Sequence, residues 1–128
     1  MGLDTLAMVR KGARLVYMDE SRFANVPNIL GGGLFSGNGA GPSFRGKVYS
    51  DFIFKVTGES LYTEEMSKKS LERIVGILGI ISEDSDRMNL MRLHRDPEIN
   101  SVTPEEIKAL YLWFKVVLDH DGIVVGWW

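Results

Sequence analysis

The amino-acid sequence predicts a small α+β fold, in which an antiparallel sheet packs against about three helices. Three observations support the prediction: a hairpin pattern near the N-terminus, helical periodicity in the middle of the chain, and a run of β-forming residues at the C-terminus. We expect the N-terminal hairpin and the C-terminal strand to form one sheet. Residues 1–128 are expected to fold as a single globular domain.

The N-terminal hairpin is predicted over residues 5–19. Apolar residues occur on both sides of Lys11-Gly12, and glycine supplies the positive φ that a tight turn requires. Residues 19–46 then show no sustained period, and they contain seven of the fourteen glycines and two of the four prolines. An irregular segment of this length is typical of a functional or a disordered loop. It is therefore the first place to look for a site.

Two helices are predicted over residues 47–57 and 67–81, where apolar residues recur at three- and four-residue steps. Gly58 is placed to end the first helix. Gly76 and Gly79 lower the intrinsic stability of the second by ~1 kcal/mol each relative to alanine, and they permit close packing against a neighbour. Residues 86–94 are a further, short candidate. The apolar positions of the first helix are Val48, Tyr49, Phe52, Ile53 and Val56, and those of the second are Leu71, Ile74, Val75, Leu78 and Ile81.

The last helix has the clearest start in the chain. Residues 103–106, TPEE, combine a capping box with proline at the first helical position. Gly122 is placed to end this helix, and residues 123–128 follow as a strand rich in β-forming residues. The apolar stripe of the helix consists of Ile107, Leu110, Tyr111, Phe114, Val117 and Leu118.

Composition and charge argue against several functional classes. The chain has 15 basic and 17 acidic residues, a formal net charge of −2, so it lacks the strong positive field that favours nucleic-acid binding. It has no cysteine, which excludes disulfides, thiolate nucleophiles and cysteine-ligated zinc. No signal-peptide pattern is present, and no apolar stretch approaches the ~20 residues of a membrane span. We expect a cytoplasmic protein with neither a nucleic-acid nor a membrane partner.

Residues 41–47, GPSFRGK, match the spacing of a phosphate-binding loop. In that motif a Ser or Thr follows the lysine and holds magnesium, but Val48 stands here, so nucleotide hydrolysis is not supported. Two interpretations remain open. Arg45 and Lys47 bind an anionic group beside the start of a helix, or the glycines shape a turn, Phe44 packs into the core and both cations are solvated.

The sequence predicts no metal, cofactor or catalytic residue. The acidic residues 83–86 lack the glycine and the terminal glutamate of a calcium loop. Residues 119–121, DHD, contain a single histidine, and His120 near a helix C-terminus is explained by its interaction with the helix dipole. A Gly-x-Ser-x-Gly elbow is also absent, so nucleophilic catalysis has no support.

The three tryptophans predict a contact surface, because tryptophan is enriched at binding hot spots. Trp113 lies off the main stripe of the last helix, which is therefore either sandwiched inside the domain or covered by another subunit. Trp127 and Trp128 alternate on the terminal strand, so at most one of them points to the core. Self-association through Trp113, Trp127 or Trp128, as a homodimer, is the expectation.

Four sequence pieces together suggest a relationship. They are the opening MGLD, SFRGKVY at residues 43–49, TGESLY at 57–62 and the ending GWW. The combination resembles a group of small prokaryotic proteins without an established activity, which share such an opening, a central S-F-R-G-K-x-Y, a following T-G-x-S-L-Y and a G-W ending. The resemblance covers most of the chain and is weakest over residues 19–41. It implies no catalytic residues, but it draws attention to Arg45, Lys47, Tyr49 and Tyr62.

Two functional hypotheses follow from the sequence. The first is a non-enzymatic binding or interaction protein, oligomeric, with Ser43, Arg45 and Lys47 near an anion or partner site, and with Tyr49 and Tyr62 as further binding residues. The second is a small enzyme or ligand-binding domain for a phosphorylated or carboxylated metabolite. That alternative requires a concave pocket at residues 31–47, with a carboxylate or a histidine facing it.

Overall fold

The structure, a computed structural model, describes residues 2–27, 29, 30, 41–83 and 102–128. Within these residues it is an α+β fold: a small open antiparallel sheet with helices packed on one face. The predicted fold class is confirmed. The strands are β1 (Asp4–Lys11), β2 (Arg14–Tyr17), β3 (Ser43–Arg45) and β4 (Ile123–Trp127), and the helices are α1 (Gly46–Thr57), α2 (Lys68–Glu83) and α3 (Pro104–Asp119).

The hairpin forms where the sequence predicts it. β1 and β2 are antiparallel neighbours, and their register runs from the pair Met8–Tyr17 to the pair Lys11–Arg14. Gly12, in the turn, has φ +63°, a left-handed conformation that glycine adopts at little cost. The predicted lysine–glycine turn is therefore confirmed.

β1 is the central strand, with β2 and β4 on opposite edges. Met8 pairs with Tyr17 of β2 on one side and with Ile123 of β4 on the other. The C-terminal strand therefore joins the N-terminal hairpin in one sheet, as the sequence predicts. Because β4 pairs with β1 only as far as Met8, the hairpin extends beyond β4 toward its turn.

β3 shares the β2 edge of β1. Asp4 pairs with Arg45 of β3 and also with Trp127 of β4, so these two strands must flank β1. Ala7 links the two strands on the shared edge: its N–H donates to the Pro42 carbonyl at 2.7 Å, and its carbonyl accepts from the Met18 N–H at 3.0 Å. β2 and β3 thus follow one another along a single edge.

The segment 19–46 contains more regular structure than its sequence indicates. Residues Glu20–Phe23 form a short 3₁₀ helix, whose N-cap Asp19 accepts hydrogen bonds from the Ser21 N–H and hydroxyl. Residues 43–45 form β3. A strand of three residues is too short to show a two-residue period, which explains why it was not predicted. The glycine-rich residues 31–40 and the helix expected over 86–94 lie outside the described residues.

The core lies between the helices and one face of the sheet. Thr5, Ala7, Phe44 and Val124 point to this face and are fully or almost fully buried. Trp113 of α3 is at the centre of an aromatic cluster, with its ring centroid 4.7 Å from that of Phe44. Phe23 and Phe114 complete the cluster, at 5.7 and 5.1 Å from Trp113.

The predicted helices are present with nearly the predicted ends. Thr103 and Glu106 form the capping box of α3, and Gly58, with φ 77°, ends α1. The apolar stripes of α2 and α3 are largely buried, as expected. Val48 of α1 is an exception, because 57% of it is exposed. No described helix is long and apolar enough to cross a membrane.

Candidate functional site

Two of the five predicted site residues have structural roles. Ser43 is fully buried in β3, beside Leu6 of β1. Tyr49 is buried in α1, and its hydroxyl donates to Glu106 Oε2 at 2.6 Å. The other oxygen of Glu106 accepts from the Thr103 N–H in the α3 capping box. This carboxylate therefore joins α1 to the start of α3, and neither Ser43 nor Tyr49 is presented to solvent.

Arg45 and Lys47 are exposed at the start of α1, where the sequence predicts an anion site. The backbone there is closely packed, however. The Lys47 N–H donates to the Leu3 carbonyl at 3.2 Å, and Gly46 is buried against Leu3 and Thr5. At least one N–H of the first helical turn is thus directed at β1 rather than at a ligand.

Tyr62 lies apart from this junction and belongs with the C-terminal tryptophans. Its ring meets that of Trp128 edge-on, with the centroids 5.6 Å apart and the planes at 71°. Tyr62 is 45% exposed, and Trp127 and Trp128 are each 51% exposed. Neither of these tryptophans is a core residue, so an exposed aromatic cluster lies at the end of β4.

Trp113 must be removed from the predicted contact surface. The side chain is fully buried, and its indole N–H donates to the Gly41 carbonyl at 3.0 Å. Of the two explanations for a helix that is apolar on two sides, α3 follows the first: it is sandwiched inside the domain. Sequence periodicity alone does not distinguish a covering loop from a covering subunit.

The register of β1 brings Arg45 and Trp127 into one row. Asp4 pairs with Arg45 on one side and with Trp127 on the other. Directly paired residues point to the same face of a sheet, with Cβ atoms about 5 Å apart. Asp4, Arg45 and Trp127 therefore form one row across three strands, on the face opposite the helices. We call this face the outer face; it also carries Met8, Tyr17, Ile123 and Val125, together with Leu6 and Ser43, which are buried.

Tyr17 reports on the electrostatics of the outer face. Partial burial raises the pKa of the Tyr17 phenol above its ordinary value, and the negative charge of Asp4 raises it further. The phenol is thus within electrostatic reach of the Asp4 carboxylate, although the two residues are on different strands. The outer face consequently combines aromatic rings with charges of both signs.

A cavity lies between the hairpin and the end of α3. This cavity has a volume of about 520 Å³ and is lined by Val9, Lys11, Tyr17, Met18, Asp19, Arg22 and His120. Sequence reasoning did not identify it, because its residues come from distant parts of the chain. His120 was the one lining residue singled out, as a partner of the helix end. Its Nδ1 lies 3.1 Å from the Val116 carbonyl, which agrees with that role.

Comparison of the chain with protein-family models, with curated proteins and with solved structures finds no match.

Proposed function

We propose that this chain is a non-enzymatic binding protein that acts as an assembly of identical subunits, joined through the outer face. The observation that carries the proposal is the row Arg45–Asp4–Trp127, in which Arg45 of the predicted loop–helix site and the exposed Trp127 flank Asp4. Neither residue was predicted to lie beside the other. The sequence relationship to small prokaryotic proteins remains part of the same proposal.

The residue types of this surface support a protein partner. Tryptophan, tyrosine and arginine are enriched in the energetically dominant centres of interfaces. Here Trp127 is about half exposed in the same row as Arg45, and the Tyr62–Trp128 pair, which is also about half exposed, follows it at the end of β4. Burying such rings in a contact removes apolar surface from water, which stabilises the contact by about 25 cal/mol for each Å² buried. A solvent-facing cluster of this kind is typical of an interaction site.

A second copy of the chain fits the charges of the row. In a two-fold contact the same surface occurs on both sides, so a residue away from the axis meets a different residue on the other copy. The row carries a carboxylate, Asp4, next to a guanidinium, Arg45. A two-fold axis that passes between Arg45 and Asp4 can place each Arg45 against the partner's Asp4. Opposite charges on one surface therefore make it self-complementary.

Analytical ultracentrifugation over a concentration series tests the proposal. The wild-type chain is expected to dimerise, and Trp127→Ala is expected to weaken the dimer at least about tenfold, the effect of losing one hot-spot side chain. Phe54→Ala is the matched control, because Phe54 is a 60% exposed aromatic residue on α1, away from the row. A strictly monomeric wild type at high concentration would contradict the proposal.

Charge reversal adds a specific test of the two-fold contact. Asp4→Arg and Arg45→Glu are each expected to weaken association, since they juxtapose like charges. The double variant restores the complementary arrangement and should recover most of the affinity. Additive losses in the double variant would show that the row does not face itself across the contact.

An anionic ligand at Arg45 and Lys47 is the second candidate, favoured by the exposure of both side chains at the start of α1. A thermal-shift screen with nucleotides, sugar phosphates and organic acids tests it, because a ligand that binds only the folded state raises its stability. Stabilisation that is lost in an Arg45→Ala, Lys47→Ala double variant would favour this function. A screen without a stabilising compound would eliminate it, together with the enzymatic alternative at this junction.

A further inference from the structure

We infer that the cavity between the β1–β2 hairpin and the end of α3 is a binding site for a small metabolite with one anionic group and a hydroxyl. This inference concerns a ligand and does not require self-association, although Tyr17 belongs both to the cavity lining and to the outer face. A volume of about 520 Å³ is within the range of sites for small organic ligands.

The cavity exists because the hairpin is longer than its neighbour. β1 continues to Lys11, but β4 pairs with it only as far as Met8, and α3 ends at Asp119. The last residues of β1 therefore extend past the core with a free space between them and the helix end. Val9 and the buried Met18 give this space an apolar part.

The cations of the lining favour an anion. Lys11 comes from the end of β1 and Arg22 from the 3₁₀ helix, and both line the cavity. The Lys11 side chain has neither an ion pair nor a hydrogen bond with any described residue. Two side chains from separate elements that face one cavity can bind a carboxylate or a phosphate through charge-assisted hydrogen bonds.

Asp19 opposes this charge only in part. Hydrogen bonds from the Ser21 backbone and then from its hydroxyl lower the pKa of Asp19 below its ordinary value, so the carboxylate is ionised. Both bonds go to Oδ1, which fixes this side chain as the cap of the 3₁₀ helix. With Lys11 and Arg22 at +1 each and Asp19 at −1, the lining carries a net positive charge.

His120 supplies the site for a hydroxyl. A carbonyl can only accept, so the hydrogen bond to Val116 requires that Nδ1 carries the proton. In the neutral ring Nε2 is then an acceptor, and it has no hydrogen-bond partner among the described residues. A ligand hydroxyl can donate to Nε2 while the anionic group of the same molecule binds the two cations.

Titrations followed by two-dimensional NMR test the inference. The probes are glycerate and glycerol 3-phosphate, with glycerol as the uncharged control and propionate as the control without a hydroxyl. We expect saturable shifts of the amide signals of Lys11, Met18 and Arg22 with the first two probes. The tighter of the two identifies a carboxylate or a phosphate as the preferred anion. No saturable shift of these signals at millimolar concentrations would overturn the inference.

Amino-acid substitutions distinguish specific binding in the cavity from general electrostatic attraction of an anion to the protein. Lys11→Gln and Arg22→Gln are each expected to weaken binding about tenfold, the effect of one charge-assisted hydrogen bond. Lys69→Gln removes an exposed cation of α2 outside the cavity and should leave the affinity unchanged. His120→Phe should abolish the preference for glycerate over propionate. Equal losses in all three charge variants would mean that no specific site exists.

Discussion

At the scale of single residues, the contact between Gly46 and Thr5 determines how closely α1 approaches the sheet. A Cβ atom on Gly46 would overlap Thr5 Oγ1 and would lie 3.2 Å from Leu3 Cδ2. Thr5 is fully buried, and its hydroxyl has no hydrogen-bond partner among the residues that the structure describes. The glycine that resembles part of a phosphate-binding loop is thus required by packing, because no larger residue fits beside β1.

Gly46→Ala is therefore expected to destabilise the fold by about 1–3 kcal/mol, the cost of overpacking. The measurement is the free energy of unfolding from urea denaturation. Gly2→Ala is the control, since its Cβ would meet Arg45 Nη2 at 3.6 Å, an ordinary contact. Equal stabilities of Gly46→Ala and the wild type would show that α1 can move away from β1 without cost.

The pKa of Tyr17 offers a test of the outer face. Burial and, secondarily, Asp4 raise it above 10.0, so Asp4→Asn should lower it part of the way, and Asp51→Asn on α1 should leave it unchanged. Ultraviolet absorbance of the phenolate, with Tyr17→Phe as reference, measures the change. Because the Tyr17 pKa is higher in the folded than in the unfolded protein, the neutral phenol contributes to the free energy of unfolding. This contribution is complete below the pKa of Tyr17 in the unfolded chain and is lost as the pH rises through its pKa in the folded protein. An unchanged Tyr17 pKa in the Asp4→Asn variant would show that the Asp4 carboxylate is too far from the phenol to affect it.

At the scale of secondary structure, elements with local chemical signals were predictable and those without them were not. The capping box at Thr103 and the turn at Gly12 identify α3 and the hairpin, because capping and left-handed φ depend on a few adjacent residues. β3 exists only because Asp4 and Leu6 provide partners for Arg45 and Ser43. A three-residue strand held by a distant neighbour leaves no periodic pattern in its own sequence.

The two glycines of α2 also show that the local sequence does not reveal contacts with distant residues. Gly79 allows close packing, because a Cβ there would lie 3.0 Å from Tyr111 Cε1 of α3, whereas a Cβ on Gly76 would meet nothing within 4 Å. Gly76→Ala is therefore expected to raise the free energy of unfolding by up to ~1 kcal/mol. Gly79→Ala should gain less or lose stability, since Tyr111 must shift. Identical gains in the two variants, measured by chemical denaturation, would contradict this packing.

At the scale of the whole molecule, residues 61–66 cover the outer edge of β4. The Gly126 N–H donates to the Thr63 carbonyl at 2.7 Å, and the Met66 N–H donates to the Val124 carbonyl at 2.8 Å. Leu61 is almost fully buried. An uncovered strand edge can pair with other chains, so this segment protects the sheet from aggregation along β4.

Gly126→Ala should remove that protection. A Cβ on Gly126 would lie 2.5 Å from the Leu61 carbonyl oxygen and 2.7 Å from that of Thr63, both backbone atoms that cannot simply rotate away. We expect a loss of about 1–3 kcal/mol and faster aggregation on warming, measured by light scattering. Gly76→Ala serves as the control. A soluble Gly126→Ala protein with wild-type stability would show that the covering segment adapts.

The sequence predicts single residues of the candidate sites but not how those residues are arranged. Arg45 and Trp127 were recognised separately from residue type, but their common row depends on Asp4, 41 positions before Arg45 and 123 before Trp127. The cavity residues Lys11 and His120 are similarly remote. A single sequence carries the chemistry of each side chain, whereas the pairing of β1 determines which side chains become neighbours.

The central position of β1 also has a consequence for folding kinetics. Its pairing with β2 needs only a short turn, and hairpins form in roughly 1–10 μs. Its pairing with β4 requires closure of a loop of almost the whole chain, which is slow because of the entropy lost. An isolated hairpin is at best marginally stable in water. The rate-limiting step of folding is therefore expected to be the pairing of β4 with a transiently formed hairpin, with the sheet completed last.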